Sequence, residues 1–221
     1  MKRLLTALLI LIIAAAVYAS PVKQRVYLDV PVVAQGKLLC GPATIEMLFR
    51  YWGVDKYDQY HIAMAMLEQF PNSIRYNSSG VYQAYPINWD KYPGTATINM
   101  RDFLKRFAKT DNFALEYEPA SIQDKVIERE VLFNRLKWYV SNGIPVIVHQ
   151  YRVLPKARGH YRIVTGYDET EKLVYLNDSN GGKRIVQSYE NFLKLWNVDD
   201  RWLHYNAIAF NIDRRQLNVE L

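Results

Sequence analysis

Cysteine is almost absent from this sequence: Cys40 is the single one among 221 residues. One thiol cannot form a disulfide within the chain, and a zinc site built from several thiolates is excluded for the same reason. The sequence also lacks a His-Glu-x-x-His motif, which disfavours a metalloenzyme. We therefore expect no metal and no cofactor, and any thiol chemistry has to rest on Cys40.

A run of basic residues is missing as well. The 28 lysine and arginine side chains exceed the 22 acidic ones by a net +6, but they are scattered among the acids. Because none of the short basic or aromatic signatures of nucleic-acid-binding folds occurs, we expect no nucleic-acid partner. The composition, 50% hydrophobic and 23% charged, is typical of a globular domain that buries a core without disulfides or metal.

Long apolar runs are absent except at the N-terminus. Two basic residues precede an apolar run over residues 4–17, and Ala19 and Ser20 follow it. This order is typical of a signal peptide, here over residues 1–19. Because 14 apolar residues are fewer than the roughly 20 of a membrane-spanning helix, an uncleaved anchor is the alternative. We expect an exported protein, periplasmic or extracellular, that contacts a membrane only if this segment is retained.

Apolar periodicity predicts one α+β domain over residues 20–221, with helices first and an antiparallel sheet in the last third. The predicted helices cover about 41–53, 58–69, 98–108, 121–142 and 188–196. The predicted strands cover about 26–30, 144–150, 160–166, 173–176, 184–186 and 206–212. Residues 71–97 are rich in tyrosine and proline, and we interpret them as a long aromatic loop, either a wall of a substrate groove or a packed connection.

Cys40 lies directly before Gly41, Pro42 and a predicted helix. The positive end of a helix dipole favours the thiolate, which is the nucleophilic form of cysteine. The missing side chain of Gly41 leaves room beside the sulfur for a substrate carbonyl. A small buried cysteine with a packing role is the alternative interpretation.

A nucleophilic thiol needs a base, and His160 is the best placed of four histidines. It begins a predicted strand, where a side chain can face a cleft. The imidazole also needs an acceptor that fixes its orientation. Asp178 ends the next predicted strand, and a hairpin brings it beside His160, whereas Asn177 points to the opposite face and is the weaker candidate. The histidines without such a setting are His61, His149 and His204.

Acyl transfer also needs hydrogen-bond donors for the oxyanion of the tetrahedral intermediate. Gln35 lies five residues before Cys40, and its side-chain amide is one candidate donor. The backbone N–H of Cys40 is a second. A solvated loop glutamine without a catalytic role is the alternative interpretation of Gln35.

Three stretches of the sequence together resemble a known family. They are Asp29-Val30-Pro31 with Gln35 and Cys40-Gly41-Pro42-Ala43-Thr44, then Gly143-Ile144-Pro145-Val146-Ile147 with Gly159-His160-Tyr161, and then Val174-Tyr175-Leu176-Asn177-Asp178. In this order they are similar to the motifs of the Peptidase_C39-like family of papain-like cysteine peptidases, relatives of the domains that remove bacteriocin leader peptides. The resemblance covers about 25–55 and 140–200.

The resemblance implies a papain-like fold, in which a helix that carries the cysteine packs on an antiparallel sheet that carries histidine and aspartate. It implies Cys40 as the nucleophile, His160 as the base, Asp178 as the orienting acid and Gln35 as the oxyanion donor. The chain departs from the family at two points. Many members place the glutamine six residues before the cysteine rather than five, and members often have Asp-Pro where this chain has Asp178-Ser179.

Three functions are compatible with these residues. The first is a thiol peptidase that hydrolyses a peptide or protein substrate through an acyl-enzyme. The second is a cell-wall amidase, or a peptide or acyl transferase, on the same scaffold. The third is a binding module with an inactive site. The intact set of Cys40, His160 and Asp178 favours an enzyme, and the sequence predicts no oligomeric state.

Overall fold

The computed structural model describes residues 23–70, 88–155 and 158–221. The predicted signal segment 1–19 and residues 71–87 of the predicted aromatic loop lie outside these ranges, so the interpretations of both segments stay predictions. Within the ranges, no helix has the length and apolar character that crossing a membrane requires.

The described chain folds as an α+β domain, with three consecutive helices in its first half and four consecutive strands in its second. The helices are α1 (Cys40–Tyr51), α2 (Gln59–Gln69), α3 (Thr97–Lys105), α4 (Ile122–Ser141) and α5 (Tyr189–Trp196). The strands are β1 (Arg25–Tyr27), β2 (Thr110–Leu115), β3 (Val146–Tyr151), β4 (Gly159–Asp168), β5 (Leu173–Asp178), β6 (Lys183–Ser188) and β7 (His204–Phe210). The predicted α+β fold class is confirmed.

The strands form one seven-stranded antiparallel sheet in the order β2-β7-β3-β4-β5-β6. The short β1 pairs with the last three residues of β4, beyond the end of β3. Strands β4 and β5 form the predicted hairpin, and their ladder ends where Arg162 lies opposite Asp178. The hairpin therefore brings the start of β4 close to the end of β5.

Apolar side chains cover both faces of the sheet. On β3, Ile147 packs in the layer that contains α1, α2 and α3, whereas Val146 and Val148 pack in the layer that contains α4 and α5. Successive residues of a strand point to opposite faces, so a strand buried on both faces needs an unbroken apolar run. This requirement explains the continuous Ile-Pro-Val-Ile-Val run that predicted β3.

Two elements differ from the sequence prediction. The edge strand β2 is not predicted, because Phe113 is its single fully buried residue and the strand begins with the polar triplet Thr-Asp-Asn. The first helix begins at Cys40 itself and not after it. The second difference matters for function, because it places the thiol inside the first helical turn.

We expect Gly166→Ala to destabilise the domain. A Cβ atom at Gly166 would lie 2.2 Å from the carbonyl oxygen of Val26, a backbone atom of β1 that has to move away. Overpacking of this kind lowers the free energy of unfolding by about 1–3 kcal/mol. Thermal unfolding measures the effect, and Thr170→Ala in the exposed turn after β4 is the control, with an expected change within about 0.5 kcal/mol. Equal melting temperatures for the wild type and Gly166→Ala would contradict this packing.

Candidate active site

Cys40 is the first residue of α1, and its side chain is partly exposed. Leu39 precedes it without a capping side-chain hydrogen bond, so the first N–H groups of the helix have no side-chain cap. Pro42 lies in the same turn, where a residue without N–H is tolerated. The helix therefore brings the thiol, unpaired backbone donors and the positive end of the dipole to one point.

The structure gives a different reason for the glycine at position 41 from the one that the sequence suggests. A Cβ atom at Gly41 would lie 2.6 Å from Cβ and Oγ1 of Thr95, the residue that approaches from the segment before α3. The hydroxyl of Thr95 lies 3.1 Å from the hydroxyl of Tyr92. The space left by Gly41 is thus occupied by Thr95, which forms one wall of the site beside Cys40.

His160 lies near the start of β4 and is 5% exposed. Its Nε2 lies 2.7 Å from Oδ1 of Asp178, and the imidazole also shares a side-chain hydrogen bond with Cys40. Because Nε2 is engaged by the carboxylate, Nδ1 is the nitrogen that faces the thiol. The three side chains that the sequence proposes as nucleophile, base and orienting acid therefore form one continuous hydrogen-bonded series.

Arg162 completes the surroundings of Asp178, and the sequence analysis did not identify it. Its Nε donates to Oδ2 of Asp178 at 2.8 Å, while His160 engages Oδ1. The same guanidinium donates to Gln150 Oε1 at 3.0 Å and to the carbonyl of Arg152 at 3.1 Å. Arg162 belongs to the predicted strand that begins with His160. Only the strand register shows that it lies opposite Asp178, the candidate acid.

The charges of these groups shift their pKa values in opposite directions. Burial disfavours the imidazolium, but the hydrogen bonds with Asp178 and Cys40 outweigh it and hold the pKa of His160 above its usual 6.5. Burial also disfavours the carboxylate, yet the hydrogen bond from His160 and the charges of His160 and Arg162 hold the pKa of Asp178 well below its usual value. Asp178 is therefore ionised at neutral pH and stabilises a positive charge on His160.

Gln35 is anchored beside the end of β5. Its backbone N–H donates to the carbonyl of Ser179 at 2.9 Å, and its Oε1 accepts from the hydroxyl of Ser179 at 2.8 Å. Its Nε2 lies 3.3 Å from the carbonyl of Gly36, which is a long hydrogen bond. Ser179, which stands where the family often has proline, thus fixes the oxygen end of the amide and leaves the donating end weakly engaged.

A buried relay braces the loop that carries Gln35, and the sequence analysis did not find it. Glu46 in α1 is 2% exposed and accepts from the backbone N–H of Gln59 at 2.8 Å. The side chain of Gln59 donates to the carbonyl of Ala34 at 2.9 Å and accepts from the N–H of Gly36 at 2.7 Å. These contacts join residues far apart in the chain, so no periodic pattern in the sequence predicts them.

The weaker candidates are not part of this hydrogen-bonded series. Nδ2 of Asn177 donates to the carbonyl of Val30 at 2.9 Å and so holds the N-terminal segment to the sheet. The ring of His61 pairs with Asp58, its neighbour on the exposed surface of α2, and the ring of His204 pairs with Asn197. The ring of His149 packs on Tyr161 with centroids 4.9 Å apart. Among the described residues, no cluster of three or more His, Cys, Asp or Glu could hold a metal ion.

We expect the stabilising effect of His160 to depend on pH. Because folding raises the pKa of His160 above its unfolded value of about 6.5, the protonated form favours the folded state. That contribution is complete below about pH 6.5 and is lost as the pH rises through the raised folded value. The difference in melting temperature between the wild type and His160→Gln should therefore shrink from about pH 5 to about pH 9. His61→Gln controls for the loss of an exposed histidine, and a difference that grows with pH would contradict the arrangement.

Comparison with known proteins assigns this arrangement to a family. The sequence profile described as Peptidase_C39 like family matches residues 27–202. Among solved structures, xylellain, a cysteine protease from Xylella fastidiosa, is 13% identical and covers 89% of this chain and 88% of its own, with a TM-score of 0.47. No curated protein sequence gives a significant match. With a family match over most of its length, the chain belongs to the Peptidase_C39 like family of papain-like cysteine peptidases.

Proposed function

We propose that this chain is an active thiol peptidase that hydrolyses peptide bonds through an acyl-enzyme on Cys40. One observation carries the proposal: Cys40, in the first turn of α1, shares a hydrogen bond with His160, whose Nε2 lies 2.7 Å from Asp178. A residue that serves packing alone has no need of this series. Membership of a peptidase family supports the same reading.

The reaction proceeds in two steps on this geometry. The Cys40 thiolate attacks the peptide carbonyl carbon and forms a C–S bond, and His160 donates its proton to the leaving nitrogen as the C–N bond breaks. The product is a thioester on Cys40 and a free amine. A water molecule then attacks the thioester carbonyl while His160 accepts its proton, and the thiolate leaves as the carboxylic acid is released.

Asp178 and Arg162 act on this reaction through His160. Asp178 accepts from Nε2 and so directs Nδ1 toward the sulfur. It also stabilises the imidazolium that pairs with the thiolate. Arg162 holds the second carboxylate oxygen at 2.8 Å, which fixes the plane of the carboxylate and with it the orientation of the ring. Asp178 and Arg162 are positioning residues, because neither touches the reacting atoms.

Two donors are available for the oxyanion. The backbone N–H of Cys40 belongs to the first turn of α1, which has no side-chain cap. Nε2 of Gln35 makes only a long contact of 3.3 Å with the carbonyl of Gly36, so a developing oxyanion can take its place as acceptor. Ser179 holds the other end of this amide, which supports the role of Gln35 despite its five-residue spacing from Cys40.

The proposal includes export of the enzyme. A basic start, an apolar run of 14 residues and small residues near Ala19 support a signal peptide over residues 1–19. With a single cysteine, the chain has no second thiol with which Cys40 could form an intramolecular disulfide outside the cytoplasm.

We expect iodoacetamide to alkylate Cys40 roughly tenfold faster than free cysteine at neutral pH, because the imidazole of His160 can accept the thiol proton as the sulfur attacks. Since Cys40 is the single cysteine, the mass of the intact protein reports this one site. His160→Ala should slow the labelling to the rate of an ordinary thiol. His61→Ala, which removes an exposed histidine, is the matched control and should label like the wild type. Slow labelling of the wild type would refute the proposal and favour a binding module.

We expect the wild type to cleave casein, and Cys40→Ala to lose all cleavage. His160→Ala should lower kcat/KM by about 10²- to 10⁴-fold, the usual contribution of a positioned acid or base. Casein and purified peptidoglycan are offered in parallel, and products are identified by mass spectrometry. Release of peptides from casein in a Cys40-dependent manner supports the peptidase. Cys40-dependent products from peptidoglycan alone would contradict the peptidase and support the cell-wall amidase.

A further inference from the structure

A cavity of about 780 Å³ opens beside the candidate active site. Its floor is a row of side chains on adjacent strands: Tyr161 on β4 lies opposite His149 on β3, and Asn206 on β7 and Ala114 on β2 continue the row toward the sheet edge. Its walls come from α3 and from the segment 201–203 before β7. We call this cavity the edge groove, because it runs from β4 to the edge strand β2.

The edge groove begins at the catalytic series. Tyr161 directly follows His160 in β4, and its hydroxyl donates to the carbonyl of Thr95 at 3.0 Å. The same hydroxyl lies 2.8 Å from Oγ1 of Thr97. Thr95 in turn packs against Gly41 beside the thiol. Thr95, which packs against Gly41, and Tyr161, which follows His160, both line the groove, so the groove begins next to the candidate site.

The charged side chains that line the edge groove all have the same sign. They are Arg101, Arg135 and Arg201, and no aspartate or glutamate is among the described residues that line it. Each arginine pairs with a carboxylate outside the lining: Asp102, Asp111 and Glu116 respectively. The groove lining therefore carries guanidinium groups, whereas the carboxylates that pair with them are not part of the lining.

Two of these arginines keep donors for a ligand. Arg101 donates to Asp102 from Nε and Nη2, and Arg201 donates to Glu116 from the same two nitrogens. In both, Nη1 has no hydrogen-bond partner among the described residues. Because a guanidinium carries five N–H donors, each arginine can bind a second carboxylate while it holds its own.

The floor of the groove offers polar atoms without charge. Nδ1 of His149 and Oδ1 of Asn206 are buried and have no hydrogen-bond partner among the described residues. Burial and the nearby positive charge of His160 lower the pKa of His149 to about 4, so its ring is neutral at physiological pH. Both atoms are enclosed by the protein, so the floor adds no charge of its own to the groove.

We propose that the edge groove binds the segment of a peptide next to the scissile bond and selects segments with acidic side chains. The backbone lies over the neutral row of Tyr161, His149 and Asn206, and the acidic side chains reach Arg101 and Arg201. The inference names the substrate class of the proposed peptidase and rests on that function for cleavage, but the binding it describes does not need the chemistry of Cys40.

The test measures binding to the Cys40→Ala protein, with acetyl-Glu-Glu-Glu-amide and acetyl-Gln-Gln-Gln-amide as the probes. Isothermal titration calorimetry should show that the glutamate peptide binds about tenfold more tightly, since the two exposed charge pairs are individually weak. The preference should fall as salt is raised from about 0.05 M to about 0.5 M. It should disappear in Arg101→Gln/Arg201→Gln, and Arg201→Gln alone, at an exposed position, should reduce it.

The control variant removes two positive charges elsewhere. Arg214→Gln/Lys194→Gln changes exposed residues away from the groove and should keep the full preference. Equal binding of both peptides, absence of binding, or a preference that survives Arg101→Gln/Arg201→Gln would each overturn the inference. An equal loss in the control variant would also overturn it, because only the net charge would then matter. These results are independent of Cys40 labelling, so failure of the groove and failure of the peptidase are told apart.

Discussion

The carboxylate of Asp178 is the constraint on which the site depends. One oxygen holds His160 at 2.7 Å, and the other holds Arg162 at 2.8 Å. All three residues are at most 5% exposed, so each charge needs the others. Removal of the carboxylate would leave the buried guanidinium of Arg162 without its counter-ion, which is strongly destabilising, and would free the imidazole to rotate. The orientation of the ring toward Cys40 is thus a consequence of a buried three-centre arrangement and not of the histidine alone.

The sheet supplies the register that this arrangement needs. Arg162 and Asp178 form the last pair of the β4–β5 ladder, so their side chains leave the same face at the same height. The next residue after Asp178 is Ser179, which holds Gln35, and the relay from Glu46 through Gln59 holds the loop around Gln35 from the other side. One network therefore connects the base, its acid and the candidate oxyanion donor across the interface between α1 and the sheet.

Much of this site follows from the sequence, and the missing part has a physical reason. Local patterns sufficed for the helix that begins at Cys40 and for the strands that carry His160 and Asp178, because apolar periodicity and turn residues mark such elements in the sequence. Pairings between distant residues leave no local pattern in the sequence. The contact of Arg162 with Asp178 and the relay from Glu46 were therefore not predicted. The edge strand β2 was not predicted either. Five of its six residues are only partly buried, so its sequence does not show the apolar run of a central strand.

The charge balance of the site links the two proposals. When Cys40 is a thiolate and His160 an imidazolium, they neutralise each other, and Asp178 and Arg162 do the same beneath them. The candidate site then presents no net charge to an approaching peptide. The electrostatic potential along the bound segment is therefore set by the edge groove, whose lining charges are positive. Acidic side chains can therefore be attracted next to the scissile bond without a change in the electrostatics that hold the thiolate and imidazolium together.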